Sequence, residues 1–355
     1  MNNKLFFLTA LFAASTLSVG AQSEEGVRYT LPQTAMHFTV KVEKTKYTPG
    51  EYAIYSRRFL RKDAAQQPSV SFRILSIEMT PKALPDTAKT FTLLIDKKHS
   101  IANVERTTDG RLLAINATVS PDQKEPREMP CGTEVISRPH PTPLNPRDYM
   151  TEEILQAGST AKMAELTAQE IFDIRDSRNQ LSRGEADFMP KDGAQMKLML
   201  ANLNTQEEAL SSLFEGITLK DTLATTLDFL PTKEGRSVLF RFSRLQGVVD
   251  ADDLSGAPYY ISVEDLHDVA TDEPQTEEKQ KEDKNDIGLR TALPGKIHVT
   301  LTHDNQTVDT YDVLAPQFGT VESLSGELFG KKQSTRLILD PLTGSVTKVE
   351  TINND

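Results

Sequence analysis

Residues 172–193 read FDIRDSRNQLSRGEADFMPKDG, and this stretch decides how the middle of the chain folds. Acidic and basic side chains are mixed throughout it, and two glycines and a proline interrupt it, as is typical of a connection between helices. On either side, apolar residues recur with the 3.6-residue period of an amphipathic helix. They are Met163, Leu166 and Ile171 before the stretch, Ile174 and Leu181 within its first half, and Met196, Met199, Leu200, Leu203, Leu210, Leu213 and Phe214 after it. We therefore predict an antiparallel helical hairpin over residues 151–217.

The second helix of the hairpin carries clear start and stop signals. Asp192 precedes Gln195 by three residues, which is the spacing of a helix cap, so the helix is expected to begin near Gly193. Gly216 follows the last residue of the apolar pattern, Phe214, by two positions and predicts the end of the helix.

One charged residue interrupts the apolar stripe of this second helix. If the hairpin closes near residue 189, antiparallel packing brings Glu207 close to residues 171–175, where Arg175 or Arg178 is its expected partner. We predict a structural ion pair among Glu207, Arg175 and Arg178. The alternative interpretation is a charged groove that binds a ligand.

The segments on both sides of the hairpin have the two-residue period of β-strands. Strands are predicted before the hairpin at 39–43, 70–79, 90–96 and 111–119, and after it at 222–231, 237–245, 258–265, 296–304, 306–316 and within 335–350. Asp304-Asn305 is expected to turn the hairpin between two of the later strands. The predicted fold class is α+β, with two β-rich modules, 22–128 and 218–355, flanking the antiparallel helical hairpin.

Two irregular segments complete the predicted domain organisation. Residues 129–150 contain five prolines and are interpreted as an extended connector, because proline breaks helices and cannot donate to a β-ladder. Residues 272–286 contain no apolar side chain and are predicted to form a disordered acidic loop. A calcium site there is disfavoured because the fixed spacing of ligands and turn glycine is missing.

The first residues predict export. Lys4 precedes the apolar run Leu5–Leu17, and Val19-Gly20-Ala21 resembles a cleavage site, so we interpret residues 1–21 as a signal peptide. A retained N-terminal anchor is the alternative. Elsewhere no run of apolar residues is long enough to span a membrane, so no transmembrane segment is expected after cleavage. The expected location is the periplasm or the cell surface.

The composition disfavours several partners and cofactors. A formal charge of −11 argues against nucleic acid, which is bound by clustered Lys and Arg. No phosphate-binding or dinucleotide-binding glycine motif occurs, so no cofactor is predicted. The six histidines form no metal-binding motif, and His298 and His303 fall on opposite faces of their strand, so no metal site is predicted.

No catalytic residue is predicted either. Cys131 is the single cysteine, and a lone thiol of this kind is expected to be a small buried residue. A nucleophilic role would require a histidine partner, and the nearby His140 lies in a proline-rich loop. A hydrolase that uses two of the many dispersed carboxylates stays open. The absence of Trp counts mildly against an enzyme that acts on glycans.

Two short motifs suggest modification. Asp86-Thr87-Ala88 and Asp221-Thr222-Leu223 are similar to the O-glycosylation motif of Bacteroides-type bacteria, so Thr87 and Thr222 are candidate sites.

Three stretches together resemble a known family. They are YTPGEYAIYSRRFL (47–60), IRDSRNQLSRGEADFMPKDGAQMKLML (174–200) and LNTQEEALSSLFEG (203–216). With the export signal, they are similar to a family of uncharacterised exported proteins of Bacteroides-type bacteria, domain of unknown function 4831. The resemblance covers most of the mature chain. It implies an extracytoplasmic α+β protein and brings no activity or catalytic residues.

These observations favour a non-enzymatic binding or assembly module of the cell envelope. Its expected partner is an envelope protein or a surface glycan, because the predicted hairpin is available for contact and no catalytic signature is present. The alternatives are a hydrolase using dispersed carboxylates and a self-associating structural component. The sequence leaves the oligomeric state open.

Overall fold

A computed structural model describes residues 26–125, 128–137, 139–190, 192–269, 285–330 and 333–353. The predicted signal peptide lies outside the described residues, and so does most of the predicted acidic loop. Asp286, at the end of that loop, already belongs to a strand.

Thirteen strands and five α-helices make up the described part of the chain. The strands are β1 (Gly26–Thr48), β2 (Ser69–Leu94), β3 (Val104–Arg106), β4 (Leu112–Ile115), β5 (Gly132–Val135), β6 (Ile217–Phe229), β7 (Gly235–Ser243), β8 (Gly247–Val249), β9 (Ala257–Asp265), β10 (Asp286–His303), β11 (Gln306–Ser325), β12 (Gln333–Leu339) and β13 (Val346–Asn353). The helices are α1 (Ser56–Phe59), α2 (Pro121–Lys124), α3 (Glu152–Leu155), α4 (Thr160–Arg183) and α5 (Gly193–Glu215).

The strands form three sheets whose pairings are antiparallel. The strand orders are β2-β1-β6-β5 in the first sheet, β11-β10-β9-β7-β8 in the second and β13-β12-β4-β3 in the third. The α+β, β-rich character that the sequence predicts is therefore confirmed. The hairpin at Asp304-Asn305 is also confirmed, and both of these residues have the positive φ angles that a tight turn requires.

Strand β1 contributes to both β cores. Near its start, Tyr29 and Leu31 pack with residues of β4, β10 and β12. Farther along, Met36, Phe38, Val40 and Val42 alternate into a core shared with β7, β9, β10 and β11. One face of the first sheet is thus buried against the second sheet. The period-two pattern of β1 is the sequence feature that produces this burial.

The flanking arrangement of two β-rich modules is not confirmed. β1 precedes the hairpin and β6 follows it, yet the two strands pair along 13 positions, from Met36–Phe229 to Thr48–Ile217. The third sheet likewise joins β4 to β12 through the pairs Ile115–Leu337 and Ala114–Ile338. Strands from the two predicted modules therefore share sheets. The short strand β5 also lies within the predicted proline-rich connector.

Several strands are longer than the sequence predicts. β2 runs without interruption through Pro81 and Pro85, where two separate strands are expected from the pattern. Within the first sheet β2 is an edge strand, and an edge position tolerates residues that cannot donate a ladder hydrogen bond. Prolines there do not end the strand, which explains the error.

The helical hairpin has the predicted caps and attaches to the body at one end. Asp192 Oδ1 accepts a hydrogen bond of 2.7 Å from the backbone N–H of Gln195, and Gly216 ends α5. At this end of α5 the backbone N–H of Tyr52 donates to the carbonyl of Leu213 at 2.7 Å. Gly50 comes so close that a Cβ there would lie 2.1 Å from the Leu213 oxygen, so only glycine fits.

We predict that Tyr29→Phe weakens the connection between β1 and β10. The buried Tyr29 hydroxyl accepts from the backbone N–H of Arg290 at 2.6 Å and lies 3.1 Å from the carbonyl oxygens of Gly288 and Arg290. Burial raises the pKa of Tyr29 to about 12, so the hydroxyl keeps its proton at neutral pH. Loss of these bonds is expected to lower the free energy of unfolding by about 1–3 kcal/mol, measured by urea denaturation.

The control for this variant is Tyr260→Phe on β9, which removes a hydroxyl from a half-exposed ring. Equal urea midpoints for Tyr29→Phe and the control would contradict the assigned role of the Tyr29 hydroxyl.

Candidate functional site

The base of the hairpin is a small apolar cluster of its own. Tyr52 and Leu60 from the segment after β1 pack with buried residues of α4 and α5. The helical members are Ala164, Ala168, Ile171, Ile174, Leu210, Leu213 and Phe214. They lie between residues 164 and 174 of α4 and between residues 210 and 214 of α5. The attachment of the hairpin to the body is therefore confined to one end.

Glu207 and the two arginines meet just beyond this cluster. Arg175 Nε donates to Glu207 Oε1 at 2.6 Å, and Arg178 Nη1 donates to Glu207 Oε2. Arg178 also contacts the Asn204 side chain at 3.1 Å. The structure thus brings together the three residues of the predicted ion pair, with one arginine on each carboxylate oxygen.

The two arginines control the ionisation of Glu207. Partial burial alone would raise the pKa of this carboxyl, but the hydrogen bonds and charges of Arg175 and Arg178 outweigh it. The pKa of Glu207 is therefore held below its ordinary value of 4.5. Glu207 is ionised at neutral pH and cannot serve there as a general acid.

The structure also contains a groove of the kind that the alternative interpretation, a charged ligand-binding groove, requires. Glu207, Arg175 and Arg178 line a shallow groove of about 490 Å³. The third cation of this groove, Lys62, is paired with Glu215 at 2.6 Å. Each of the three cations therefore has a carboxylate partner from the protein itself. This neutralisation favours a structural role over capture of a charged ligand.

Beyond the ion pair the hairpin receives little support from the body. We call residues 175–202 the hairpin arm. Among its described residues only Leu181 is buried. The arm extends past the basal cluster by about nine residues of each helix, or about 14 Å at the helical rise per residue.

The arm ends in exposed apolar side chains. Phe188 is 63% exposed and Met189 is 39% exposed in the bend, and Leu198 is 63% exposed in the second turn of α5. We call these three residues the apolar tip. Large apolar side chains left exposed near one end of an arm make that end a candidate surface for binding another molecule.

The two candidate modification sites differ in accessibility. Thr87 is exposed in a bulge of β2, where the pairing with β1 jumps from Thr90 to Asp86. Thr222 is half-buried in β6 and paired with Glu43, and its carbonyl accepts from the N–H groups of residues 136 and 137. A glycan would meet less obstruction at Thr87. Modification of either residue stays a prediction.

The expectation of a buried Cys131 is wrong. Cys131 is exposed, because it immediately precedes β5, the edge strand that pairs with β6. His140 is bonded elsewhere, with its Nε2 3.0 Å from Asp221 Oδ1. The groups beside the thiol are His37 and Asp228. Desolvation, then the charge and hydrogen bond of Asp228, raise the pKa of Cys131, which is unfavourable for a nucleophile.

His37 and Asp228 form a polar pair that the sequence pattern does not reveal. They are directly opposite on β1 and β6, and His37 Nδ1 lies 2.6 Å from Asp228 Oδ1. Lys82 Nζ binds the other oxygen, Asp228 Oδ2, at 2.8 Å. Desolvation opposes ionisation of Asp228, but Lys82 and His37 outweigh it and lower the pKa of Asp228. Only the register of three strands brings these residues together, and no local motif encodes it.

The fold and the site define a β-rich protein with three antiparallel sheets and a helical hairpin that carries no recognised catalytic motif. The chain belongs to the family described as domain of unknown function (DUF4831), whose profile matches residues 25–347. No curated protein and no solved structure is significantly similar to it. Within the described residues, no helix combines the length and the apolar character needed to cross a bilayer.

We predict that Glu207→Gln destabilises the hairpin in a pH-dependent way. The variant loses a carboxylate that holds two arginines, and we expect a loss of about 1–2 kcal/mol of unfolding free energy at pH 7. Because the folded pKa is lowered, the stabilisation is present above the unfolded pKa near 4.5 and disappears as pH falls through the lower folded value. The difference between the wild type and the variant should therefore shrink below pH 4.5.

Thermal unfolding followed by circular dichroism from pH 3 to pH 7 measures this difference. The matched control is Glu165→Gln on α4, which removes an exposed carboxylate that pairs with Lys162. A difference between the wild type and Glu207→Gln that does not change with pH would contradict the role of the ionised carboxylate.

Proposed function

We propose that the protein is an exported, non-enzymatic binding or assembly module of the cell envelope, and that it contacts a partner protein through the hairpin arm. The single observation that carries this proposal is the apolar tip at the end of an arm that the body supports only at its base. The pattern of residues 1–21 supports export.

Exposure of the tip has a cost that an interface would offset. Phe188 and Leu198 leave most of their side-chain surface in water, although neither is needed for the basal cluster. Burying apolar surface is favourable by about 25 cal/mol per Å². A partner that covers both side chains would therefore gain binding energy from residues that do nothing for the base of the arm.

The chemistry of the tip favours a protein over a glycan. Sugars are hydroxyl-rich, and a site for them needs convergent polar groups together with aromatic platforms. The chain has no Trp, and the three side chains of the tip contain no hydrogen-bonding group except the weak acceptor sulfur of Met189. An apolar groove or patch on another protein is the matching surface.

The arm also provides a way to present the tip. Two helices that pack on each other keep the bend at a fixed distance from the sheets, and the Glu207 ion pair joins them where they leave the basal cluster. The tip can therefore reach a partner without requiring contact between that partner and the sheets.

We predict that a photoreactive residue at Gln180, an exposed position of the arm, forms one dominant adduct in cells of the native host. The same probe at Leu254, which is 81% exposed on the body, is the matched control and should give no dominant adduct. The measurement is the adduct pattern after irradiation, with the bound protein identified by mass spectrometry.

Two substitutions then test the tip itself. Combining Phe188→Ser with Leu198→Ser should reduce the adduct by about tenfold, since exposed apolar anchors dominate interfaces of this kind. Leu254→Ser should leave it unchanged. An adduct formed by two copies of the chain would replace the proposal with self-association. Equal patterns at Gln180 and Leu254, or no adduct, would overturn it and favour an enzymatic or glycan-binding role.

A further inference from the structure

We infer that His37, Cys131 and Asp228 form a binding site for a divalent transition-metal ion, with Zn²⁺ as the best match. The inference goes beyond the proposed function, because the site lies on the outer face of the first sheet and shares no residue with the hairpin arm. It rests on the placement of an imidazole, a thiol and a carboxylate whose ligand atoms all lie within 4.8 Å of one another.

The three side chains come from parts of the chain far apart in sequence. His37 lies on β1 directly opposite Asp228 on β6. Cys131 immediately precedes β5, whose first residue, Gly132, pairs with Thr226 on the other edge of β6. The Thr226 hydroxyl accepts from the Gly132 N–H at 3.0 Å and donates to the Pro130 carbonyl at 2.8 Å. These bonds hold the residues on both sides of the thiol close to β6.

The geometry is close to what a metal ion requires. Tetrahedral zinc with sulfur, nitrogen and oxygen ligands separates its ligand atoms by about 3.3–3.6 Å. The present separations bracket that value, from 2.6 Å between His37 Nδ1 and Asp228 Oδ1 to at most 4.8 Å overall. Shifts of about 1 Å would bring the atoms to coordination distances. The cation would replace the hydrogen bond between His37 and Asp228, and the displaced protons would go to solvent.

Burial supports His37 as a built ligand. It is on the side of β1 opposite the main core, where a strand residue would usually face water, yet only 6% of it is exposed. The residues around Cys131 line a cavity together with His37, and Asp228 holds the Nδ1 edge of the imidazole. A rigid imidazole loses little freedom when it binds a metal.

Lys82 holds the carboxylate in one orientation. Its ammonium binds Asp228 Oδ2 at 2.8 Å and the Met129 carbonyl at 3.1 Å, which leaves Oδ1 directed toward His37. Such outer contacts orient the ligands of metal sites. The positive charge of Lys82 also opposes a second cation, so we expect moderate rather than very tight affinity.

The ligand set identifies the class of metal. Mg²⁺ and Ca²⁺ prefer oxygen ligands, whereas a thiol and an imidazole together select borderline-soft ions such as Zn²⁺. Three protein ligands leave one coordination position for water or another ligand. His37 and Cys131 open onto a cavity of about 420 Å³, which Glu128 and Glu134 also line. The fourth position is therefore accessible from outside.

A second polar group provides a matched comparison within the same chain. His298 Nδ1 lies 2.8 Å from Asp312 Oδ1, and Lys296 binds Asp312 Oδ2 at 3.1 Å. This arrangement reproduces the imidazole, carboxylate and ammonium of the inferred site. Among the described residues, the possible metal ligands that lie close enough together are His37, Cys131 and Asp228. His298 and Asp312 do not belong to that group.

The test uses the full chain with its thiol reduced and titrates Zn²⁺ alone against a chromophoric chelator. We expect one equivalent of Zn²⁺ to bind, and we expect Cys131→Ser and Asp228→Asn each to weaken binding by more than about tenfold. His298→Gln, the matched control, should bind like the wild type. Because Cys131 is exposed, its substitution is not expected to disturb folding, which circular dichroism can verify.

A spectroscopic measurement decides whether the thiol is a ligand. Co²⁺ bound to wild-type protein should show a thiolate-to-cobalt charge-transfer band that Cys131→Ser lacks and His298→Gln keeps. Absence of this band in the wild type would overturn the inference, whatever the chelator titration shows. Equal Zn²⁺ affinity in Cys131→Ser and the wild type would overturn it as well, because binding would then come from other groups.

Discussion

The structure depends on the burial of the middle of β1, between Tyr29 and Val42. Tyr29 and Leu31, near its start, contribute to one core, and Met36, Phe38 and Val40, farther along, contribute to another. Because side chains alternate along a strand, a shift of one residue in its pairing would expose the residues of both cores together. The pairing with β6 extends from this strand, and β6 in turn follows the hairpin. The register of β1 therefore determines the position of the arm and also the position of the His37–Asp228 pair.

The helical hairpin could be predicted from sequence because its determinants are local. The apolar period, the Asp192 cap and the Gly216 stop all act within a few residues, and the structure shows all three. The proximity of Glu207 to Arg175 and Arg178 followed from simple antiparallel geometry once the bend was known. Exposure of the apolar tip could not be predicted in the same way, since it depends on what the rest of the protein leaves uncovered.

The remaining features depend on contacts between distant parts of the chain. The local sequence predicts that a strand ends before Pro81 and Pro85. Both prolines are nevertheless tolerated, because β2 lies at the edge of its sheet. The sharing of sheets between the two ends of the chain leaves no local pattern either. For the same reason the local sequence points from Cys131 to His140, whereas the neighbours of the thiol in space are His37 and Asp228. Residue type alone could not identify that grouping.

The pairing of β4 with β12 has a consequence for the order in which the protein can fold. Ile115 and Leu337 are paired in the third sheet, so that sheet cannot form until residue 337 has been synthesised. The hairpin has its helices close in sequence and can form as soon as its own residues are available, whereas closing the loop between residues 115 and 337 carries a large entropic cost. On the ribosome, the hairpin arm can thus be folded while the sheets are still incomplete. The native topology is complete only when β12 has paired with β4.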